Sequence, residues 1–282
     1  MRKTKVLTVL VIAALSLVMA MIRTVIVTVR MEKNAVDNET YYLAEKADVL
    51  LFAVVSVVFL VVFAVIAYAI GKRKKVCLEK PNSLVPVGSL VLAFALSFAA
   101  FVYMRDVFFD EFVVGTVVGT LVFVFAVLSA VKFFCSTFSK KGSYSANMRA
   151  FASIAPILLM VVRLLGDFIR KSAVPFASSG AYLILSAIFL LLFFLIEGKS
   201  YVSTATALGY YFFGFAAMFF LMVHAFPNLI LHCFGVFPFN YYAAFSVVDI
   251  AAAVYIAFRL MSAKQERIRR HSELAEQLKE EI

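Results

Sequence analysis

The chain has 282 residues, of which 64% are hydrophobic and 16% charged, and its formal net charge is +10. Long apolar runs recur along the whole chain, and no polar stretch between them is long enough for a separate domain, which excludes a soluble globular protein. Basic residues cluster beside the apolar runs, so the positive charge indicates membrane topology rather than nucleic-acid binding. A GxxxxGK phosphate-binding loop is absent, so ATP-driven work would require a separate subunit.

Eight segments are long and apolar enough to cross a bilayer, which takes about 20 residues in a helix. The first segment also resembles a secretory signal peptide, because Val18 and Ala20 resemble a cleavage site, but its apolar character resumes after Arg23 and favours an uncleaved span. We predict an all-α, polytopic transmembrane helical bundle over residues 1–262. Its predicted spans are residues 6–29, 49–71, 84–104, 112–134, 150–169, 180–196, 201–226 and 241–261.

The distribution of Lys and Arg predicts the orientation of these spans. With the N-terminus inside, nineteen of the 27 basic residues fall on the inner side or at the inner ends of spans, six fall on the outer side, and two, Arg23 and Arg163, lie deeper within spans. Because cytoplasmic loops carry an excess of Lys and Arg, this bias predicts that both termini are cytoplasmic.

Two further segments are assigned by length and pattern. Residues 227–238 are apolar but too short to cross the bilayer, so we expect an ordinary hydrophobic loop, with an interfacial or re-entrant segment as the alternative. Residues 263–282 are predicted to continue the last span as a cytoplasmic amphipathic helical tail, because apolar residues recur there every three or four positions. A solvated tail and a docking helix for a cytoplasmic partner both fit this pattern.

Charged residues inside the predicted spans are the candidates for function. Arg163 and Asp167 are four residues apart and therefore share one helix face. Rise per residue places Arg23 and Arg163 about 9 Å, and Asp249 about 12 Å, below the outer ends of their spans. His224 lies near the outer end of the seventh span. Polar residues of the membrane region are therefore concentrated in its outer half, where we predict a substrate-binding site.

Two interpretations of these charges follow. In the functional one, Arg23 and Arg163 attract an anionic group in an outward-facing pocket, while Asp167 and Asp249 orient them or exchange protons. In the structural one, Arg163 is neutralised by either carboxylate, and Arg23 extends outward to the interface. Pro156 lies on the same helix face as Arg163 and predicts a kink beside it.

Catalytic and metal-binding patterns are weak. Gly166 and Asp167 together with Asp249 resemble the two aspartates of intramembrane aspartyl proteases, but Leu164 stands where their GxGD motif needs glycine. HExxH and GxSxG motifs are absent, and the spacing of the histidines and cysteines follows no metal-ligand pattern. We therefore expect no catalytic residue, no metal and no cofactor.

The overall layout has a basic start, Arg23 in the first span, an outer NETYYL segment and apolar pairs separated by basic loops. This layout resembles uncharacterised multi-pass membrane proteins of Gram-positive bacteria. The resemblance implies a bacterial plasma membrane and no known activity. We expect a transport or permease-like protein for an anionic solute or lipid headgroup; the alternative is a non-catalytic membrane scaffold or sensor that acts through its C-terminal helix.

Overall fold

The computed structural model describes residues 2–33, 41–43, 46–72, 74–78, 84–107, 113–138, 145–171, 178–202 and 205–267. These residues form nine helices and four short strands. In chain order the elements are α1 (Arg2–Arg30), β1 (Met31–Lys33), β2 (Tyr41–Leu43), α2 (Lys46–Gly71), β3 (Lys74–Cys77), α3 (Leu84–Val107), α4 (Val113–Phe138), α5 (Ala146–Ala152), α6 (Ile154–Lys171), α7 (Ser178–Tyr201), α8 (Ala207–Cys233), α9 (Tyr241–Ser262) and β4 (Lys264–Arg267).

The predicted all-α bundle is confirmed. Eight helices are long and apolar enough to cross a membrane, with α5 and α6 together forming one of them. Inside a bilayer every backbone N–H and C=O must be satisfied within the protein, and a helix does so within each segment. The chain is therefore an integral multi-pass membrane protein.

The fifth span is broken where the sequence predicts a kink. Helix α5 ends at Ala152, Ser153 forms a turn, and α6 begins at Ile154. Pro156 has no backbone N–H for the carbonyl of Ala152, and its ring crowds that carbonyl, so the helix cannot continue regularly through this point.

Six of the spans form a closed ring through successive contacts. Helix α3 packs against α4, α4 against α6, α6 against α7, α7 against α8, α8 against α9, and α9 against α3. Helices α1 and α2 lie outside this ring, against α8. The share of buried residues is 72% in the apolar window of α8 and 17% in that of α2, so α8 is central and α2 faces mostly lipid.

Both ends of the described chain lie at the same end of the bundle, because Lys5 Nζ donates a hydrogen bond to the carbonyl of Ala263. We call this the terminal end and the other the opposite end. At the terminal end, β3 pairs antiparallel with β4. At the opposite end, β1 pairs antiparallel with β2 and joins α1 to α2.

Residues 227–238 differ from the predicted loop. Helix α8 continues through Pro227 to Cys233, so more than half of this segment is helical, and the chain then turns at Gly235, whose φ is 71°. A proline is tolerated there because another donor satisfies the carbonyl that it leaves free, as described below.

The start of the tail also differs from its prediction. Helix α9 ends at Ser262, and Lys264–Arg267 form strand β4 instead of a further turn of helix. Pairing with β3 supplies the hydrogen bonds that a continued helix would otherwise supply. Residues 268–282 lie outside the described residues, so the amphipathic helix there stays a prediction.

Candidate functional site

An ion pair crosses the interior of the six-helix ring. Arg163 on α6 donates from Nη1 and Nη2 to the two carboxylate oxygens of Asp249 on α9, at 2.7 and 2.9 Å. The side chains are 6% and 0% exposed. A bidentate pair of this kind is the strongest arrangement of a guanidinium and a carboxylate. The choice that the sequence left open between Asp167 and Asp249 is therefore settled in favour of Asp249 as the hydrogen-bonded partner.

A narrow crevice lies above this pair at the opposite end of the ring. Asp167 is buried at its edge and interacts electrostatically with Arg163. The cavity measures about 10 Å³, which is room for about one water molecule. Five of the six ring helices line it, through Tyr103, Val122, Arg163, Gly166, Asp167, Leu183, Tyr241, Tyr242 and Phe245.

The crevice surrounds one guanidinium with two carboxylates and aromatic rings. The guanidinium carbon of Arg163 lies 4.6 Å from the centroid of the Phe245 ring, so the ring covers one face of the cation. With both acids ionised, the group of Arg163, Asp167 and Asp249 would carry one net negative charge. An anion that binds Arg163 must therefore take the place of a carboxylate.

Arg23 lies in a different part of the molecule, outside the ring. It is fully buried, donates from Nη1 to the carbonyl of Val223 on α8 at 2.7 Å, and lies 4.0 Å from the centroid of the Tyr182 ring on α7. The predicted grouping of Arg23 with Arg163 is therefore absent, because these contacts involve neither Arg163 nor Asp249. Arg23 also points into the protein rather than extending to the interface.

His224 belongs to the same turn of α8 as Val223. It is 2% exposed, and its Nε2 lies 3.4 Å from Nδ2 of Asn228, one turn later. Its side chain is not among those that line the crevice. Of the five predicted site residues, the structure thus brings together Arg163, Asp167 and Asp249, and leaves Arg23 and His224 on the α8 side of the bundle.

A second polar cluster lies inside the ring at the terminal end. Arg259 Nε and Tyr255 Oη both donate to Oε1 of Glu197, each at 2.5 Å, and Arg259 Nη2 donates to Tyr201 Oη. Glu197 is fully buried. The ammonium of Lys132 on α4 lies 3.9 Å from the Phe133 ring centroid and interacts electrostatically with Glu197.

Sequence reasoning missed this terminal cluster. Glu197 falls one residue beyond the predicted sixth span, and Lys132 and Arg259 lie near the inner ends of their predicted spans, where basic residues are expected from topology alone. A usable signal was present: Glu197 and Tyr201 are four residues apart, and so are Tyr255 and Arg259, so each pair shares a helix face. The contacts between the two pairs depend on how α7 and α9 pack, which the spacing does not reveal.

No protein-family model, curated protein or solved structure matches the chain.

Proposed function

We propose that the protein is a permease-like transport protein that moves a small anionic solute along the interior of the six-helix ring. The observation that carries this proposal is the fully buried Arg163–Asp249 pair at the base of a crevice that opens at one end of the ring. Ionisable residues inside a membrane domain are costly and usually mark a substrate or ion pathway. Packing alone would be served as well by apolar side chains of similar volume.

The anionic group of the solute exchanges with a carboxylate on Arg163. Asp249 occupies both donor positions of the guanidinium in the resting arrangement, and Asp167 is the second acid beside it. A cavity of about 10 Å³ does not hold a solute, so entry requires the ring to widen. The break between α5 and α6 at Ser153 supplies a place for α6 to tilt.

The terminal cluster forms the second barrier of the pathway. Glu197 on α7 and Arg259 on α9 are held together by hydrogen bonds, with Tyr201 and Tyr255 beside them. Release of the solute at that end requires this contact to open. The basic bias of the terminal-end loops supports a cytoplasmic terminal end, so the crevice faces outward; the layout supports a bacterial plasma membrane.

Uptake into proteoliposomes tests the proposal. Purified protein is reconstituted and assayed with radiolabelled acetate, glutamate and inorganic phosphate, with protein-free liposomes as the blank. We expect saturable uptake of at least one anion, loss of uptake in Arg163→Gln and Asp249→Asn, and retention in Asp48→Asn, which alters an acid outside the ring. Uptake that never exceeds the blank, or that survives Arg163→Gln in a folded variant, would contradict the proposal.

Accessibility supplies a measurement that does not depend on the choice of solute. A cysteine introduced at Leu183, in a background without native cysteines, lies in the lining of the crevice. A membrane-impermeant maleimide should label it from the outer face only. Labelling from the inner face alone would reverse the proposed orientation, and the absence of labelling from either face would remove the crevice as an entrance.

A scaffold or sensor function is the second candidate, and the pairing of β4 with β3 favours it. This pairing ties the beginning of the tail to the connection between α2 and α3, so a partner bound to the tail would act directly on the bundle. Deletion of residues 268–282, with capture of cytoplasmic proteins on the intact and shortened chains, separates the two candidates. Loss of a defined partner together with unchanged uptake would favour signalling through the tail.

A further inference from the structure

Arg23 carries a buried charge that no acidic residue in the described part of the chain pairs with. Its exposure is 0%, and its Nε and Nη2 have no hydrogen-bond partner among the described residues. Burying a charge without an acidic partner costs several kcal/mol, so a compensating anionic group beyond the described residues is expected at this place. The position is separate from the axial crevice, because its contacts are with α7 and α8 on the outer side of the ring.

One of the three guanidinium nitrogens is explained by the fold itself. Pro227 stands four residues after Val223 in α8 and has no backbone N–H, so the Val223 carbonyl lacks its helical donor. Arg23 Nη1 donates to that carbonyl at 2.7 Å and replaces the missing bond. This role needs a single donor and no charge. Apart from the Tyr182 ring over the face of the guanidinium, the described residues give the positive charge no partner, and they give Nε and Nη2 no acceptor.

The two open nitrogens lie on one edge of the guanidinium. Nη1 is the terminal nitrogen on the same side as Cδ, so the N–H of Nε and the nearer N–H of Nη2 point in parallel. Two parallel N–H groups match two oxygens on one atom, as in a carboxylate or phosphate. A halide offers only one acceptor atom, and a single water has no charge to compensate the guanidinium.

Side chains from α7 and α2 surround the Arg23 guanidinium. The Tyr182 ring covers one face of the guanidinium at 4.0 Å, and its hydroxyl is held by the hydroxyl of Ser56 on α2 at 3.0 Å. Only 17% of the apolar window of α2 is buried, so this junction lies on the side of the bundle that faces lipid. We infer that Arg23 is the binding residue of an oxyanion site, for a carboxylate or a phosphate group held by Nε and Nη2, distinct from the axial pathway.

Purified full-length protein, stripped of lipid in a neutral detergent, is the sample for the test. Its thermal midpoint is followed by circular dichroism, since the chain contains no Trp. The probes are sodium acetate, sodium phosphate and sodium chloride at equal ionic strength. A second arm uses phosphatidylcholine nanodiscs with and without phosphatidylglycerol. A shift with acetate or phosphate identifies a free oxyanion as sufficient; a shift only with phosphatidylglycerol identifies a lipid phosphate.

Three variants decide the assignment. Arg23→Gln can still donate to the Val223 carbonyl but loses the charge and the paired edge, so we expect its response to the oxyanion to fall about tenfold or more. Arg23→Lys keeps the charge and should lose the preference for oxyanions over chloride, which keeps the test valid if Arg23→Gln does not fold. Arg30→Gln, on the same helix but half exposed and paired with Asp48, is the matched control and should respond as the wild type does.

Several results would overturn the inference. Equal stabilisation by chloride would remove the two-oxygen requirement. An unchanged response in Arg23→Gln would place the anion elsewhere, and no response to any oxyanion or to phosphatidylglycerol would leave only water at the two nitrogens. None of these measurements involves uptake, so this inference and the proposed transport function succeed or fail separately.

Discussion

Breaking the Arg163–Asp249 pair should destabilise the fold more than any change at an exposed ion pair. Removing one partner of a buried pair leaves the other charge uncompensated and costs about 3–5 kcal/mol. Arg163→Met should fall at the upper end, because it leaves the carboxylates of Asp249 and Asp167 both without the guanidinium. Asp249→Asn should fall at the lower end, because Asp167 still interacts with Arg163. The double variant should cost clearly less than the sum of the two single variants.

The measurement is a double-mutant cycle in mixed micelles, with unfolding by added SDS followed by circular dichroism. The matched control is the Arg30–Asp48 pair, in which one nitrogen, Nη1, donates to both carboxylate oxygens at 3.0 and 3.1 Å and the Arg30 side chain is 50% exposed. Its cycle should give a coupling of about 0–1 kcal/mol. Costs that add within about 0.5 kcal/mol at Arg163 and Asp249 would refute the direct pair.

Three further changes test the packing of the bundle. Pro227→Ala restores a backbone N–H that competes with Arg23 for the Val223 carbonyl, so the thermal midpoint should not rise although a proline is removed from the helix interior. Glu197→Gln leaves two buried cations beside a neutral group and should cost about 3–5 kcal/mol of unfolding free energy, whereas Lys199→Gln, at an exposed position two residues later, should change it by about 0.5 kcal/mol or less. A Cβ at Gly71 would lie 2.5 Å from the backbone of α8, so Gly71→Ala should lower the midpoint and Gly180→Ala, with nothing within 4 Å, should not.

The eight spans were predictable because their signal is local. An apolar run of about 20 residues has one stable form in a bilayer, and hydropathy alone finds it. The kink at the fifth span was predictable for the same reason, since the missing N–H of Pro156 is a property of one residue. Neither prediction needed any knowledge of which helices are neighbours.

The partners of the buried charges were not predictable in this way. Spacing along α6 identifies Asp167 as a neighbour of Arg163, but the hydrogen-bonded carboxylate comes from α9, which the packing of the ring brings across. Arg23 likewise shares a predicted depth with Arg163 and yet lies outside the ring. The depth below the end of a span can be predicted from the sequence. The position of a side chain around the bundle depends on the order in which the helices pack.

The predicted ends of α8 and α9 were wrong for a different reason. Helix α8 continues past Pro227 because a side chain from α1 satisfies the carbonyl that the proline leaves free. Helix α9 stops at Ser262 because the next residues find a β partner in Lys74–Cys77. In both cases a segment distant in sequence supplies the hydrogen bond that determines where the helix ends. The periodicity of the helix's own residues cannot predict that bond.

Helix α9 contributes to both polar groups inside the ring, the Arg163–Asp249 pair and the terminal cluster. It supplies Asp249 to the pair and Arg259 to the cluster, and these two residues are ten positions, or about 15 Å, apart along its axis. Each of them joins α9 to a helix that is not its neighbour in the ring, α6 in one and α7 in the other. On the proposed pathway, a solute that replaces Asp249 on Arg163 frees α9 at one end while Glu197 still holds it at the other. The two barriers then open in sequence rather than together, which is what transport without a continuous leak requires.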